Sequence, residues 1–241
     1  MIDYSAWNKF SEGKTPATTP LPIKINKYLM PSRKELIVDV GCGWGRVTTW
    51  LYLMGYRVVG TDINKKEIEK AKKDAKKLII KGREKEISFQ VDDASEHIKL
   101  PSNSADGVVV NGVLLAMTTV KDRKSFVSEI HRILKPEGII YLAEFAQTPD
   151  IYNYRKHALI TRETGTVVGF KHELKITFKD KTDEGIKALG KPKNIDYFAH
   201  HYTKKELEKL LVRFQILEFN KVKFITRSGI ITDGFVIYGR K

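Results

Sequence analysis

The stretch VDVGCGWGRVTTWL, residues 38–51, decides the fold. Overlapping its start, ELIVDV (residues 35–40) is a short apolar run ending at glycine, as a buried parallel strand does. Behind the glycines, Val47, Trp50, Leu51 and Met54 keep the i, i+3, i+4, i+7 spacing of a helix with one buried face. Gly41, Gly43 and Gly45 therefore fall in the turn between a strand and a helix. Glycine lets backbone come close to a ligand because no Cβ stands in the way. The free N–H groups of the following helix point at the same place. Alone, such a loop is unspecific: dinucleotides, phosphates and other adenosine ligands all use one.

The same alternation continues outward. YRVVGTD (residues 56–62) reads as a second strand. Asn64, with Glu67 three residues on, forms a capping box for a lysine-rich helix whose buried stripe is Ile68, Ala71, Ala75, Leu78 and Ile79. EISFQVDDA (86–94) is a third strand and, after a polar turn, GVVVNGVLL (107–115) a fourth. The helix in KDRKSFVSEIHRILKPEG (121–138) puts Phe126, Ile130, Ile133 and Leu134 on one face and stops at Pro136 and Gly138; IIYLAEF (139–145) follows as the fifth strand. Strand alternating with helix in this way specifies an α/β fold with a doubly wound, mostly parallel sheet. The chain closes with a helix capped by Thr203 and carrying Glu206 at its third position, then FQILEFNKVKFI (214–225) and GFVIYGRK (234–241) as an antiparallel hairpin at a sheet edge. Residues 146–202 are not required by the alternation. They hold His157, His172, His200 and His201, and TVVGF and ELKITF alternate there like strands, so an inserted cap after the fifth strand is expected. Residues 1–30, with Tyr4, Trp7 and Phe10, read as a second covering segment of one domain spanning 1–241.

Composition fits this reading. At 241 residues, 41% apolar and 30% charged, the chain has the makings of one large soluble domain. The segment MIDYSAWNKF lacks the basic-then-apolar layout of a signal peptide. The longest nearly apolar run, GVVVNGVLLAM, is 11 residues and contains an Asn, well short of a membrane span. The lone cysteine, Cys42, excludes an intramolecular disulfide and fits a reducing compartment, so a cytoplasmic location is expected. A net charge of +14 raises the question of nucleic acid. The excess is spread thinly, however: +3 in each of residues 1–35, 36–145 and 146–202, and +5 in 203–241. The densest lysine run mixes in acids at helical spacing, as a solvated helix face does.

Spacing narrows the ligand. A dinucleotide loop reads G-x-G-x-x-G, whereas here Arg46 follows glycines at 41, 43 and 45, and there is no G-x-x-x-x-G-K-[ST] phosphate loop. Asp39, two residues before the first glycine, would repel pyrophosphate but suits an ammonium, directly or through water. Asp62 ends the second strand, where a carboxylate can accept from both ribose hydroxyls; capping the next helix is the competing reading. Asp93 ends the third strand, placed for an adenine amine. Three acids at three successive strand ends, with the loop, point to an amino-acid nucleoside more sharply than any one of them.

These residues carry a family resemblance. VDVGCGWG resembles the first motif of class I S-adenosylmethionine-dependent methyltransferases, and VVGTDIN resembles the second. VDDASEHIKLPSNSADGVVV and EIHRILKPEGIIYLAEF are similar to the regions that follow, so the likeness covers roughly residues 36–145. It implies a seven-stranded sheet, S-adenosylmethionine as donor and S-adenosylhomocysteine as product. It also implies roles. Gly41 and Gly43 would line the methionine portion and Gly45 would permit close helix packing. Asp62 would take the ribose, Ile63 would pack on the adenine, and Asp93 with Ala94 would border it. The Asn111 or Gly112 carbonyl would hold the amino group. Cys42 would contribute its backbone, a reactive thiol being the alternative. Residues 1–30 and 146–202 are where this family keeps substrate specificity, and no motif there names a substrate.

A methyl sulfonium is already activated, so the protein's main task is to align an acceptor about 3 Å away and exclude water. A base is needed only if the acceptor starts protonated. His200, His201 and Tyr202 are the base candidates and His172 a weaker one; each is equally readable as a structural hydrogen-bonding residue. Tyr4 and Trp7 would close over the donor or staple the first helix. The paired histidines lack a carboxylate or thiol at ligand spacing, so no metal is expected. The leading functional reading is a small-molecule methyltransferase. The alternative, a methyltransferase acting on RNA or another macromolecule, draws on the charge. It lacks an RNA-binding module and a D/N-P-P-Y motif, in whose place VNGVL stands. A nicotinamide oxidoreductase is disfavoured by the glycine spacing.

Overall fold

The computed structural model describes residues 19–117, 119–146, 158–160, 166–170, 195–225 and 231–241. Strand β1 (Leu36–Val40) is buried along its whole length and lies third in a seven-stranded sheet. Beside it run β2 (Arg57–Asp62) and β4 (Ala105–Asn111), both parallel to it. β3 (Ile87–Val91) pairs with β2, and β5 (Leu134–Phe145) with β4, again in parallel. The closing strands β9 (Gln215–Ile225) and β10 (Ile231–Arg240) form the antiparallel hairpin, with β10 inserted between β5 and β9. The order is β3-β2-β1-β4-β5-β10-β9. The order in which strands are added reverses between β1 and β4, which opens a crevice at their carboxyl ends.

Helices α1 (Arg46–Leu53) and α2 (Lys65–Ala75) cover one face, and α3 (Val120–Ile133) and α4 (Lys204–Leu210) the other. Alternate residues of β1 serve the two cores. Ile37 belongs to the core that holds Leu51, Ile68 and Tyr141, whereas Val38 and Val40 belong to the one that holds Phe126, Ile130 and Leu207. Each such side chain, fully buried, contributes roughly 1.5–3 kcal/mol of hydrophobic stabilisation. The first core is completed by Ile25, Tyr28 and Leu29, so the segment before β1 packs under α1 and the hairpin.

Several details differ from the sequence expectation, among them α3 ending at Ile133 and β5 starting at Leu134, ahead of Pro136 and Gly138. The fourth strand stops at Asn111 instead of running to Leu115, because Gly112 takes φ +68° and Leu114–Ala116 then coil into a 3-10 turn. Helix α2 ends at Ala75, leaving Leu78 half-exposed. Between β5 and α4, strands β6 (Ala158–Ile160), β7 (Thr166–Phe170) and β8 (Ile195–His200) form a separate antiparallel sheet in that order. The ELKITF segment lies outside the described residues, as do Tyr4, Trp7 and His172. No helix among the described residues is long and apolar enough to cross a membrane.

Candidate functional site

The glycine loop is built from left-handed backbone. Gly41, Gly43 and Gly45 have φ of +71°, +51° and +78°, a region that costs side-chain-bearing residues about 1–2 kcal/mol each. Their surroundings differ. A Cβ on Gly41 would stand 2.3 Å from Val113 Cγ2, and one on Gly45 would stand 2.8 Å from Phe89 Cε1. A Cβ on Gly43 would meet nothing nearer than Glu67 Oε2 at 4.0 Å. The outer two glycines are thus filled by protein, and the middle one faces open space. Trp44 flanks the loop, with Lys70 Nζ 4.3 Å from its ring centre.

Asp62 ties this loop to the end of β2. Its Oδ2 accepts from the Gly43 N–H at 2.9 Å and its Oδ1 from the Asn64 N–H at 2.8 Å. Burial raises its pKa and the backbone donors oppose the rise. Asn64 in turn caps α2, accepting from the Lys66 and Glu67 amides. The helix-capping role that sequence also offered Asp62 thus falls to Asn64, while each Asp62 oxygen keeps a second lone pair. Ile63, the next residue, is 38% exposed although apolar. Asp93 closes a tight turn, its Oδ1 accepting from the Ser95 N–H (2.9 Å) and hydroxyl (2.6 Å), and Ala94 beside it is buried.

Asp39, expected to help hold a ligand ammonium directly or through water, sits in the core near the end of β1. It is only 1% exposed, and its Oδ2 accepts from the Thr48 hydroxyl at 2.6 Å. Burial pushes its carboxyl up to about 6, while the Thr48 hydroxyl and amide and the Arg46 charge pull it down. On this geometry Asp39 caps α1 from within the core. Cys42 is buried, with its thiol pushed well up by burial, and its N–H donates to the Thr61 carbonyl at 2.8 Å. That is a backbone role, not a nucleophile's.

The end of β4 contributes Asn111. Its Nδ2 donates to the Pro20 carbonyl at 2.9 Å, and its Oδ1 is buried without a hydrogen-bond partner among the described residues. Two further groups hold the same strap. Arg46 Nη2 donates to Thr19 O (3.0 Å) and Oγ1 (3.1 Å), and the Tyr141 hydroxyl donates to Pro20 O at 2.7 Å. Residues 19–20 are thereby tied to the start of α1, the end of β4 and Tyr141 of β5. Further along, the Lys24 N–H donates to the Tyr238 hydroxyl, and Lys24, Lys27 and Tyr28 all donate to Glu218.

The three base candidates are not brought together on one face. Successive residues of an extended strand point to opposite sides. Tyr202 is buried in the α3–α4 core, where its hydroxyl donates to the Leu114 carbonyl at 2.8 Å and burial raises its pKa. His200 is also buried, with Nε2 2.6 Å from Glu206 Oε1 and its pKa lowered by burial. Glu206 lies 3.7 Å from Arg123 in an ion pair, so its carboxylate serves His200 and Arg123 while Thr203 caps the helix. Of the three candidates, Tyr202 belongs to the packing of the second core and His200 is buried against it, ring centres 4.7 Å apart. His201 alone turns to the other face, stacked on Phe145 with ring centres 5.5 Å apart, its pKa pulled down to about 4 by burial. No group of three or more His, Cys, Asp or Glu that could hold a metal occurs among the described residues.

Sequence reasoning missed Glu144. It is fully buried at the end of β5, and it accepts from three consecutive amides of the turn after β4: Val113 (2.7 Å), Leu114 (2.6 Å) and Leu115 (3.3 Å). Burial pushes its carboxyl up to about 8 against the pull of those donors. The available signal was one acid inside the otherwise apolar IIYLAEF.

Sheet order, glycine loop and strand-end acids together define a nucleoside-binding α/β fold, and comparison with known proteins specifies which. Residues 38–142 match the family described as Methyltransferase domain. The chain is 32% identical over 129 residues to the ubiquinone biosynthesis O-methyltransferase of Pelagibacter ubique, an alignment covering 54% of this chain and 50% of that protein. It is 25% identical over 228 residues to the 27-O-demethylrifamycin SV methyltransferase of Amycolatopsis mediterranei, covering 93% and 78%. Among solved structures, a SAM-dependent methyltransferase from Methanosarcina mazei superposes with a TM-score of 0.70 at 28% identity, covering 92% of this chain and 98% of that one. The chain spans about half the length of the first curated relatives it matches. Along residues 38–142 it carries the domain of the S-adenosylmethionine-dependent methyltransferases, with the class I sheet order.

Proposed function

We propose that this chain transfers a methyl group from S-adenosylmethionine to a small-molecule acceptor, in the cytoplasm. The observation that carries the reading is the open space over Gly43, whose N–H is held by the Asp62 carboxylate, together with the exposed Ile63 and the buried Asn111 Oδ1 that has no partner among the described residues. Those groups fit the donor. The backbone of Gly41–Gly43, with Asn111 and the Gly112 carbonyl, would hold its amino-acid portion. Asp62 would accept from the ribose hydroxyls, with Ile63, Asp93 and Ala94 around the adenine. When bound, the donor supplies a methyl group on a sulfonium, which needs no further activation. Asp39 would act through Thr48, fixing the start of α1 and adding a negative field. The strap at Thr19 and Pro20, held by Arg46, Asn111 and Tyr141, would keep water out.

The relatives' names support a small acceptor: one belongs to ubiquinone biosynthesis and another methylates a demethylrifamycin. Residues 1–30 and 146–202 would form the cover that selects it. His201, on the same side of β5 as the strap, is neutral at pH 7 and would serve as a hydrogen-bonding group toward the acceptor.

Calorimetry tests the donor assignment. S-adenosylhomocysteine should bind, NAD should not, and Asp62→Ala should weaken the binding at least tenfold, about 1.4 kcal/mol. Equal binding of NAD would refute the reading. Labelled methyl from S-adenosylmethionine should then appear in a small-molecule fraction. Label in RNA instead, with salt-sensitive RNA binding, would overturn the small-molecule assignment.

A further inference from the structure

The turn after β4 carries the groups proposed to meet the donor, yet its backbone is held almost entirely from below. Its N–H groups go to Glu144, as described, and the Gly112 N–H goes to the Ala143 carbonyl at 2.8 Å. Its carbonyls are taken by the Tyr202 hydroxyl at Leu114 and by Arg123 Nη1 at Met117, 2.9 Å away. Val113, between these anchors, fills the recess that Gly41 leaves for want of a Cβ. A buried carboxyl group accepting three consecutive amides is a directional brace, because leaving such donors unpaired in a dry site is expensive.

We infer that Glu144 is a positioning residue for donor binding: its carboxylate holds residues 111–115 in the one arrangement that seats Val113 against Gly41 and presents Asn111 and Gly112 to the donor's amino-acid portion. The inference rests on the donor site proposed above. It assigns Glu144 no contact with the reacting atoms. It also gives Tyr202 a purpose, since the same turn is fixed from its carbonyl side by that hydroxyl. The return of the chain from β8 into α4 is thereby coupled to the donor site.

Glu144→Gln is the test. One amide oxygen can still accept from Val113 and Leu114, but an NH2 group now faces the Leu115 N–H. Calorimetry with S-adenosylhomocysteine at 25 °C, well below the melting temperature of each protein, should show affinity down by about tenfold, the loss of roughly one buried hydrogen bond's worth of positioning. Amide hydrogen exchange, read in the same samples without ligand, should accelerate at Val113, Leu114 and Leu115 and stay unchanged in β2 and β9. Tyr202→Phe, which keeps the carboxylate, should produce a smaller change of the same kind, and it carries the test if Glu144→Gln does not fold. A lowered melting temperature with S-adenosylhomocysteine affinity and turn exchange both within twofold of wild type would overturn the inference, leaving Glu144 a stability residue only. Failure of the wild-type chain to bind S-adenosylhomocysteine would refute the donor site instead, and the exchange data would still decide the brace.

Discussion

Gly41 and Gly43 are two residues apart and share left-handed backbone, yet the same substitution should rank them one way in stability and the other way in binding. Gly41→Ala adds a Cβ that would stand 2.3 Å from Val113 Cγ2 and 2.9 Å from Cγ1, far inside contact distance. Left-handed alanine costs about 1–2 kcal/mol, and overpacking a filled site costs typically 1–3 kcal/mol more. The total is about 2–5 kcal/mol. For a chain of this size 1 kcal/mol moves Tm by roughly 2–4 °C, so thermal unfolding should shift down by about 10 °C. Gly43→Ala carries only the backbone cost, because its Cβ enters open space, and Tm should fall by about 3–6 °C. Binding should reverse the ranking: Gly43→Ala should weaken S-adenosylhomocysteine more than tenfold by occupying the donor's place. Gly41→Ala should recover part of its stability when Val113→Ala is added, since the clash is with that side chain. Differential scanning fluorimetry and calorimetry on the four proteins suffice. Wild-type affinity in Gly43→Ala, or an unshifted Tm in Gly41→Ala, would refute the division between a glycine filled by protein and one open to ligand.

Other expectations concern buried charge and the strap. Thr48→Val removes the hydroxyl that donates to Asp39, so it should destabilise by about 1–3 kcal/mol in denaturant titration. The loss should be larger at pH 8 than at pH 5, because Asp39 titrates near 6 and the missing donor stabilised its charged form. His201→Phe keeps the stack on Phe145 and removes a titrating group. The wild-type native state binds this proton only near pH 4 and the unfolded state near 6.5, so wild type loses stability relative to the variant as pH falls through that window, by about 3 kcal/mol at most. Equal pH dependence in the two proteins would sink that account. Arg46→Ala should release the strap at Thr19 and raise the dissociation rate of S-adenosylhomocysteine several-fold in stopped flow, with β-sheet content unchanged by circular dichroism.

The sheet was legible because its elements announce themselves through period. Ile37, Val38 and Val40 form a continuous apolar run, as a strand covered on both faces requires, and Phe126, Ile130 and Ile133 recur at helical spacing. The loop and Asp62 were legible because only certain residue types tolerate those positions. Other parts carried no such signal. The strap is gripped through the carbonyl oxygens of Thr19 and Pro20, and every residue has a carbonyl, so side-chain identity says nothing about it. His200, His201 and Tyr202 suggested chemistry by residue type, yet the two-residue period of a strand already separates the first and third from the second. Glu144 reads in sequence as an ordinary acid near a strand end, and its value comes from three backbone amides 29 to 31 residues away in the chain.

The anchoring of residues 24–28 has a bearing on biosynthesis. Their partners are Glu218 and the Tyr238 hydroxyl, groups that leave the ribosome some two hundred residues later. When residue 145 has been translated, the glycine loop, Asp62, Asn111 and the first five strands already exist. The strap above them still lacks the hairpin that tethers its far end. A nascent chain can thus assemble the floor of the pocket early, but its roof closes only after β10 has slotted between β5 and β9. Arrest before Tyr238 should leave a chain that has the nucleoside-binding loop and retains its ligand poorly.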